Sequence, residues 1–515
     1  MKHKLLQLFQ KNKHISYLVL GLITLLVFVC YGGALNAPFI IDDTAGIVNN
    51  PNIGKFSWLL ATPQAFFANL TFYLAYKIGG LSPIVFRMFN IAFHIGAVFT
   101  LYLIIKRLFS LRQAIFTSVL FAIHPIFTES VTWISAMSYP KYSFFFLLTI
   151  LSYIYGQKNK RWYVASIVFA LLSILSSEKA VALPPVLFLL EWVFFSVKNN
   201  WKRFVPHTII IIAIASIYLM GIGARSAAFQ KDYYITKQFY NPIEHVPYAV
   251  TYYLQLIFFP KDLTVYHSEL SITMTEFMIR WAFFIVFIVS IAMTYKKSKS
   301  YFFWALFFLI TLAPSLIPLN IVWIVAERYV YLGAVGVMAL LGYGITKLSE
   351  IKKFQTVFIA LFTAIILSLI GRTIIRNVDW LSPAALWTST IQVSPSSSNA
   401  HNNMGDVYAN RKDWVNAAKE FQAAIVLQPG DADPRHNLGI TLTMMGKYEA
   451  AVEAYSGALQ ISPTLYKTHQ NLGFVFHKLQ NYPEAEYHLV KALEFGPPNP
   501  TISEFLKEIR SLMGK

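Results

Sequence analysis

Eleven apolar runs, each long enough or nearly long enough to cross a lipid bilayer, constrain the fold of this chain more than any other feature. They lie around 15–35, 84–105, 112–132, 142–157, 162–178, 180–197, 206–223, 277–294, 301–319, 330–347 and 354–371. A hydrocarbon core about 30 Å thick takes roughly 20 apolar residues in helical form. Backbone placed in lipid must satisfy its own hydrogen bonds, which runs of this length do as helices. The expected fold is therefore all-α and polytopic, with about 11 transmembrane helices. Composition agrees: only 13% of residues are charged and 56% are hydrophobic, against about 25% charged in a soluble domain.

Charge gives the expected orientation. The net charge is +18, but the 120 residues from Ser396 onward carry 11 Lys/Arg and 12 Asp/Glu, so the excess belongs to the apolar part. Basic clusters at 106–107, 158–161, 198–203, 296–299 and 347–353 fall on one side with the basic N-terminus. The positive-inside rule makes that side cytoplasmic, and the excess reads as charge beside anionic lipid, with no nucleic-acid partner. The first apolar run is read as an uncleaved span. Residues 246–260 are read as an interfacial or re-entrant helix ended by Pro260. The odd number of spans then places the C-terminal part outside the cytoplasm. The outer loops become 36–83, 124–141, 223–276 and 320–329, with a turn at 177–179.

The C-terminal part is a repeat array. Gly405, Gly439 and Gly473 are 34 residues apart, as are Pro429, Pro463 and Pro497. Ala417, Ala451 and Ala485 recur in register, as do Ala424, Ala458 and Ala492; Phe421 and Tyr455 match, with Leu489 in the third copy. This period and pattern define tetratricopeptide (TPR) repeats, paired helices stacked into a solenoid. A half-repeat is expected near Ser382, and residues 501–513 form a capping helix. The domains are read as a membrane domain over 1–372, a linker and half-repeat over 373–397, three repeats over 398–498 and the cap over 499–515.

Polar groups at the outer loops are the candidates for chemistry. Asp42 and Asp43, in PFIIDDTAGIVNNP (38–51), follow apolar residues at a membrane boundary. They are either solvated loop acids or a carboxylate whose pKa is raised enough to act as a general base. His124 and Glu129 share FAIHPIFTESV (121–131). His124 is either a helix-terminal histidine satisfied by backbone or, with Glu129, a ligand for phosphate or acceptor, and Lys141 closes that loop with a cation. Glu178-Lys179 is either an internal salt bridge or a functional pair. Arg328, beside Glu327, escapes the positive-inside explanation, and its guanidinium suits phosphate oxygens; Glu327 is expected to orient it. Arg225 is a further cation in the loop after the seventh run. Cys30 is the only cysteine, which excludes an intrachain disulfide and a CxxC metal site. His94 reads as a packing residue. No metal ligand cluster supports a divalent ion.

The stretches IDDTAGIVNNPNI (41–53), FAIHPIFTESV (121–131), LSSEKAVALP (175–184), VAERYVYL (325–332) and 372–405 resemble the TMTC family, transmembrane and tetratricopeptide-repeat O-mannosyltransferases of the GT-C fold. The resemblance implies a polyprenyl-phosphate-linked sugar donor and inverting transfer of mannose or another hexose to an acceptor hydroxyl. It implies that an aspartate of the first outer loop, here Asp42 or Asp43, is the catalytic base. His124, Glu129, Lys141, Glu178, Lys179, Arg225, Glu327 and Arg328 are then the candidates for binding the donor phosphate or the acceptor. The expected partners are the donor lipid, membrane lipid, a protein or glycan acceptor, and a protein held by the repeats. A prokaryotic inner membrane is favoured over the endoplasmic reticulum. The alternatives are a GT-C enzyme acting on a glycan or lipid, and a non-catalytic TPR scaffold anchored in a membrane.

Overall fold

The computed structural model describes residues 2–61, 65–230, 241–267, 273–316 and 325–514, with side chains described outside 2–13, 221–230 and 354. Every regular element among the described residues is helical. The chain forms two compact units, one running to Ala385 and the other holding Leu386–Lys515. The division falls later than the expected boundary at 372. The long apolar helix Gln355–Val378 and the turn Asp379–Leu381 pack with the membrane unit.

Six helices are long and apolar enough to cross a membrane: His14–Ala34, Pro83–Leu108, Val197–Met220, Met274–Thr294, Glu327–Ser349 and Gln355–Leu381. A seventh is possible if Leu111–Ile123 and Pro125–Thr132, bent by 51° at His124, count as one. The expected eleven are thus not present as full-length spans among the described residues. For three of the missing runs the cause is helix length, and for a fourth a polar first turn. The runs at 162–178 and 180–197 fold as Lys160–Ser176 and Leu183–Phe194, of 17 and 12 residues. The run at 301–319 gives 14 residues, Lys299–Leu312, before a 3₁₀ turn containing Pro314. The run at 142–157 lies in Ser138–Gly156, whose first turn is polar. With the count changed, parity no longer fixes the side of the C-terminal unit. The helix Pro242–Phe258 stops just before Pro260 and is not among the candidate spans.

Local signals set the helix starts. Pro83 opens its helix at the first position, where its missing N–H costs nothing. The Ser110 side chain accepts from the Gln113 amide, and Asn159 from the Arg161 amide. Tyr331–Ser349 is the central helix, buried over most of its first half. It packs on Lys299–Leu312 and Leu111–Ile123. Gly336 makes the first contact possible, since a Cβ there would stand 2.5 Å from the Trp304 carbonyl. Met274–Thr294 and Gln355–Val378 instead expose leucine, isoleucine and phenylalanine along much of their length, a surface suited to lipid.

The C-terminal unit matches the expected period. Its helix pairs are Ser398–Asn410 with Trp414–Leu427, Ala432–Met444 with Tyr448–Ile461, and Tyr466–Lys478 with Tyr482–Phe495, followed by Pro500–Leu512. The in-register alanines are all buried. At Gly439 a Cβ would meet the Tyr455 ring at 2.5 Å; Phe421 and Leu489 fill the matching places against Gly405 and Gly473. Gly439→Val is therefore expected to destabilise the repeat unit by about 1–3 kcal/mol. Chemical unfolding followed by circular dichroism checks this, and an unchanged midpoint would remove the close approach from the account.

Candidate active site

The segment after the first span is held by one buried arginine. Arg87 donates from Nη1 to the carbonyls of Leu35 and Ala37, from Nη2 to Pro38 at 2.8 Å, and from Nε to Thr132 at 2.9 Å. Asn90 adds a bond to the Trp133 carbonyl at 2.9 Å. These contacts tie residues 35–38 to residues 132–133. Within this frame Ile41 adopts a left-handed backbone, φ +55°. That conformation is an outlier for a β-branched side chain and costs on the order of 1–2 kcal/mol.

The two aspartates that follow have different surroundings. Asp43 is fully buried. Its Oδ1 accepts from the Ser135 amide at 2.8 Å and from the Ser135 hydroxyl, and its Oδ2 from the Ile40 amide at 3.3 Å. Asp42 is exposed and makes no side-chain hydrogen bond or ion pair among the described residues. Burial nonetheless raises the pKa of Asp42, and the field of Arg328 offsets part of the rise. Burial pushes Asp43 up to about 6, against the Ser135 and Ile40 hydrogen bonds and the charge of Arg87.

The Asp43 shift has a definite sign. An unfolded aspartate titrates near about 3.9, so the folded state prefers the protonated form. Stability from this group is complete below about pH 4 and is lost as pH rises through about 6, by about 3 kcal/mol in all. Melting between pH 4 and 6.5 should therefore fall more steeply for the wild type than for Asp43→Asn. Equal slopes would show that Asp43 is not held in this way.

Arg328 forms the second part of the site. Its backbone N–H donates to Glu129 Oε2 at 2.9 Å, and its Nη1 pairs with Glu129 Oε1. Its guanidinium rests 5.4 Å from the Trp133 ring centre and 4.9 Å from that of Tyr329. Glu129 is fully buried, so it is the residue that orients Arg328. Glu327, expected in that role, turns elsewhere: its Oε1 lies 3.4 Å from Arg376 and 3.5 Å from His267. Arg376 also holds Asp379 at 2.8 Å.

Lys179 joins Arg328. Its ammonium lies 4.6 Å from the Tyr329 ring centre, and burial and Arg328 lower its pKa while Glu178 opposes them. Glu178 is exposed and makes no ion pair with Lys179, so of the two readings the internal salt bridge is not the one formed. Lys179 and Arg328 thus come together at the Tyr329 ring, Glu178 acts electrostatically on Lys179 and Tyr139, and Asp42 lies in the field of Arg328.

Two candidates are placed elsewhere. His124 donates from Nε2 to the Ile257 carbonyl at 2.9 Å, and its Nδ1 accepts from Ile126 N at 3.2 Å. Both nitrogens are used, so it pins a helix end, as its backbone-satisfied reading had it. Lys141 is buried and gives its ammonium to the Phe67 and Ala68 carbonyls and the Thr71 hydroxyl. It anchors the helix Phe66–Gly79 and has no donor left for phosphate. The side chain of Arg225 lies outside the described residues. His94 is a satisfied packing histidine, bonded to Tyr331 at 2.6 Å. No group of three or more His, Cys, Asp or Glu side chains suited to a metal occurs among the described residues.

Sequence reasoning missed Arg87, Arg376, Asp379, His267 and Tyr329. The two arginines carried a readable signal. Each stands at the end of an apolar run opposite the basic clusters, the same property that singled out Arg328. A groove of about 630 Å³ also opens between Pro242–Phe258 and Met274–Thr294, with Phe258, Ile279, Phe283 and Val286 on its wall. Arg280 marks its polar part, bonded to Glu276 at 2.9 Å and Gln255 at 3.1 Å. The C-terminal unit has a polar groove of about 390 Å³ lined by His436, Lys467, Gln470 and Asn471.

The family profile described as dolichyl-phosphate-mannose-protein mannosyltransferase matches residues 63–220, and two TPR profiles match 420–453 and 442–480. A protein O-mannosyl-transferase of Caenorhabditis elegans is 27% identical over 74% of this chain and 59% of its own length. The mouse protein O-mannosyl-transferase TMTC3 is 24% identical over 78% of this chain and 50% of its own length. The chain thus spans about half the length of the curated relatives it matches. Among solved structures, ArnT from Cupriavidus metallidurans, bound to undecaprenyl phosphate, aligns over 87% of this chain and 80% of its own at 14% identity, TM-score 0.40. The crystal structure of MamA aligns over 25% of this chain and 70% of its own at 25% identity, TM-score 0.22.

Proposed function

We propose, from the premise that this chain is a TMTC/PMT-family, O-mannosyltransferase-like membrane protein of GT-C type, that it transfers mannose or another hexose from a polyprenyl-phosphate-linked donor to an acceptor hydroxyl. The observation that carries this reading is the separation of the aspartate pair. Asp43 is spent on holding the loop, while Asp42 is left open, with a raised pKa, in the field of Arg328. An acid so placed suits a general base.

In the proposed reaction the acceptor oxygen attacks the anomeric carbon from the face opposite the phosphate. Its proton passes to Asp42, the carbon–oxygen bond to phosphate breaks, and polyprenyl phosphate leaves with the electron pair. Attack from the far side inverts the anomeric centre. Arg328 and Lys179 neutralise the charge that grows on the leaving phosphate. Glu129 keeps Arg328 in place. The apolar groove beside Arg280 supports entry of a lipid donor, since it offers an isoprenoid chain an apolar wall. The repeat array is proposed to gather a protein acceptor or partner. The N-terminus is proposed to be cytoplasmic, and the site and repeats extracytoplasmic in a prokaryotic inner membrane.

The test uses membranes containing the full chain and polyprenyl phosphate carrying a radiolabelled hexose. Release of polyprenyl phosphate coupled to a labelled acceptor is the expected result. No turnover with protein, glycan or lipid acceptors would leave a TPR scaffold on an inactive core.

A further inference from the structure

Two cations crowd one aromatic ring at the site. The Lys179 ammonium lies 4.6 Å from the centre of the Tyr329 ring and 5.9 Å from that of Tyr139. The Arg328 guanidinium lies 4.9 Å from the same Tyr329 ring. Like charges this close repel, the more so away from bulk water. Arg328 has Glu129 to neutralise it. Lys179 has no bonded partner: among the described residues its ammonium makes no hydrogen bond or ion pair, the field of Glu178 only partly offsets burial and Arg328, and two aromatic faces lie beside it.

An aromatic face carries negative charge density and attracts a cation without consuming its hydrogen-bond donors. Tyr329 therefore does what a carboxylate in its place could not. It offsets the repulsion between Lys179 and Arg328 and leaves the lysine's N–H groups free for a ligand. Tyr329 is itself buried, which fixes the ring, and its hydroxyl makes no hydrogen bond among the described residues. The ring, and not the hydroxyl, is the working part.

We propose that Tyr329 is a positioning residue that holds Lys179 and Arg328 side by side as a two-pronged clamp for a lipid-linked phosphate. This rests on the reading of those two cations as the phosphate-holding groups.

The experiment measures binding of farnesyl phosphate to the detergent-solubilised full chain, with melting as a check on folding. Tyr329→Phe keeps the ring and should bind within about twofold of wild type. Tyr329→Leu keeps apolar bulk without the ring and should bind about tenfold more weakly. Combined with Lys179→Met, the Leu variant should lose less than the sum of the two single losses, because both act through one cation. Should Tyr329→Leu fail to fold, Tyr329→Met takes its place. Wild-type affinity in the Leu or Met variant overturns the proposal, and so does a Phe variant as weak as Leu. A folded wild type that does not bind farnesyl phosphate overturns the reading of the cations, and the clamp with it.

Discussion

Asp42→Asn lowers the sugar-transfer rate by a factor of about 10²–10⁴ and leaves the protein folded. Both parts follow from its surroundings. The carboxylate is exposed and bonded to no described residue, so an isosteric amide leaves no buried group unpaired. It also removes the acid of the pair whose oxygens accept from no described residue and face outward, where an acceptor hydroxyl can reach them. Asp43→Asn should behave differently. Its carboxylate accepts three hydrogen bonds from Ile40 and Ser135, and an amide oxygen can replace one oxygen while the NH₂ group faces donors. The loop should loosen, and any loss of rate should come with a loss of stability. The check is the rate of polyprenyl phosphate release beside the melting temperature in the same detergent. Full activity in Asp42→Asn would sink the assignment. The base should also lose function as pH falls through the raised pKa of Asp42, so the acid limb of the rate profile should lie above the ordinary aspartate range.

Glu129→Ala has the larger expected effect on folding. Glu129 is fully buried, and both its oxygens are used by Arg328. Its removal strands a nearly buried guanidinium and an amide that lack any other acceptor among the described residues. Breaking one partner of a buried pair costs about 3–5 kcal/mol, a large share of the roughly 5–15 kcal/mol that holds a folded domain. The folded yield should fall sharply. The double variant Glu129→Leu with Arg328→Met replaces both charges by apolar bulk, and such replacements are often neutral. It should recover most of the melting temperature and remain inactive. If the single variant melts with the wild type, Glu129 does not hold Arg328. If the double variant transfers sugar, Arg328 is not needed for the reaction.

The repeats were legible in the sequence because their information is local and recurs. The contact between the two helices of each 34-residue unit is made by that unit's own small and bulky residues, so Gly405, Gly439 and Gly473 announce the packing without knowledge of anything distant. The number of spans was less legible. Apolarity reports that a segment avoids water, but not whether a turn such as Glu178–Ala182 or the one holding Pro314 cuts it short. Burial inside a helical bundle and exposure to lipid select the same residues, which is why helices of 12–17 residues read as spans.

The site divided in the same way. The sequence by itself determined which residues were too costly to place at a membrane boundary without a purpose: the Asp42-Asp43 pair, Glu129, Lys179 and Arg328. Charge in an apolar context is expensive wherever it occurs, so its presence can be read from neighbours in the chain. Only the tertiary structure decided what each one does. It gave Arg328 to Glu129 and Glu327 to Arg376, turned Lys141 to a helix and His124 to a carbonyl, and parted two adjacent aspartates by burying Asp43 against Ser135. Those outcomes depend on partners 49–199 residues away, and hydrogen bonds and ion pairs act only over a few ångströms. Which donor meets which acceptor is settled when the helices pack.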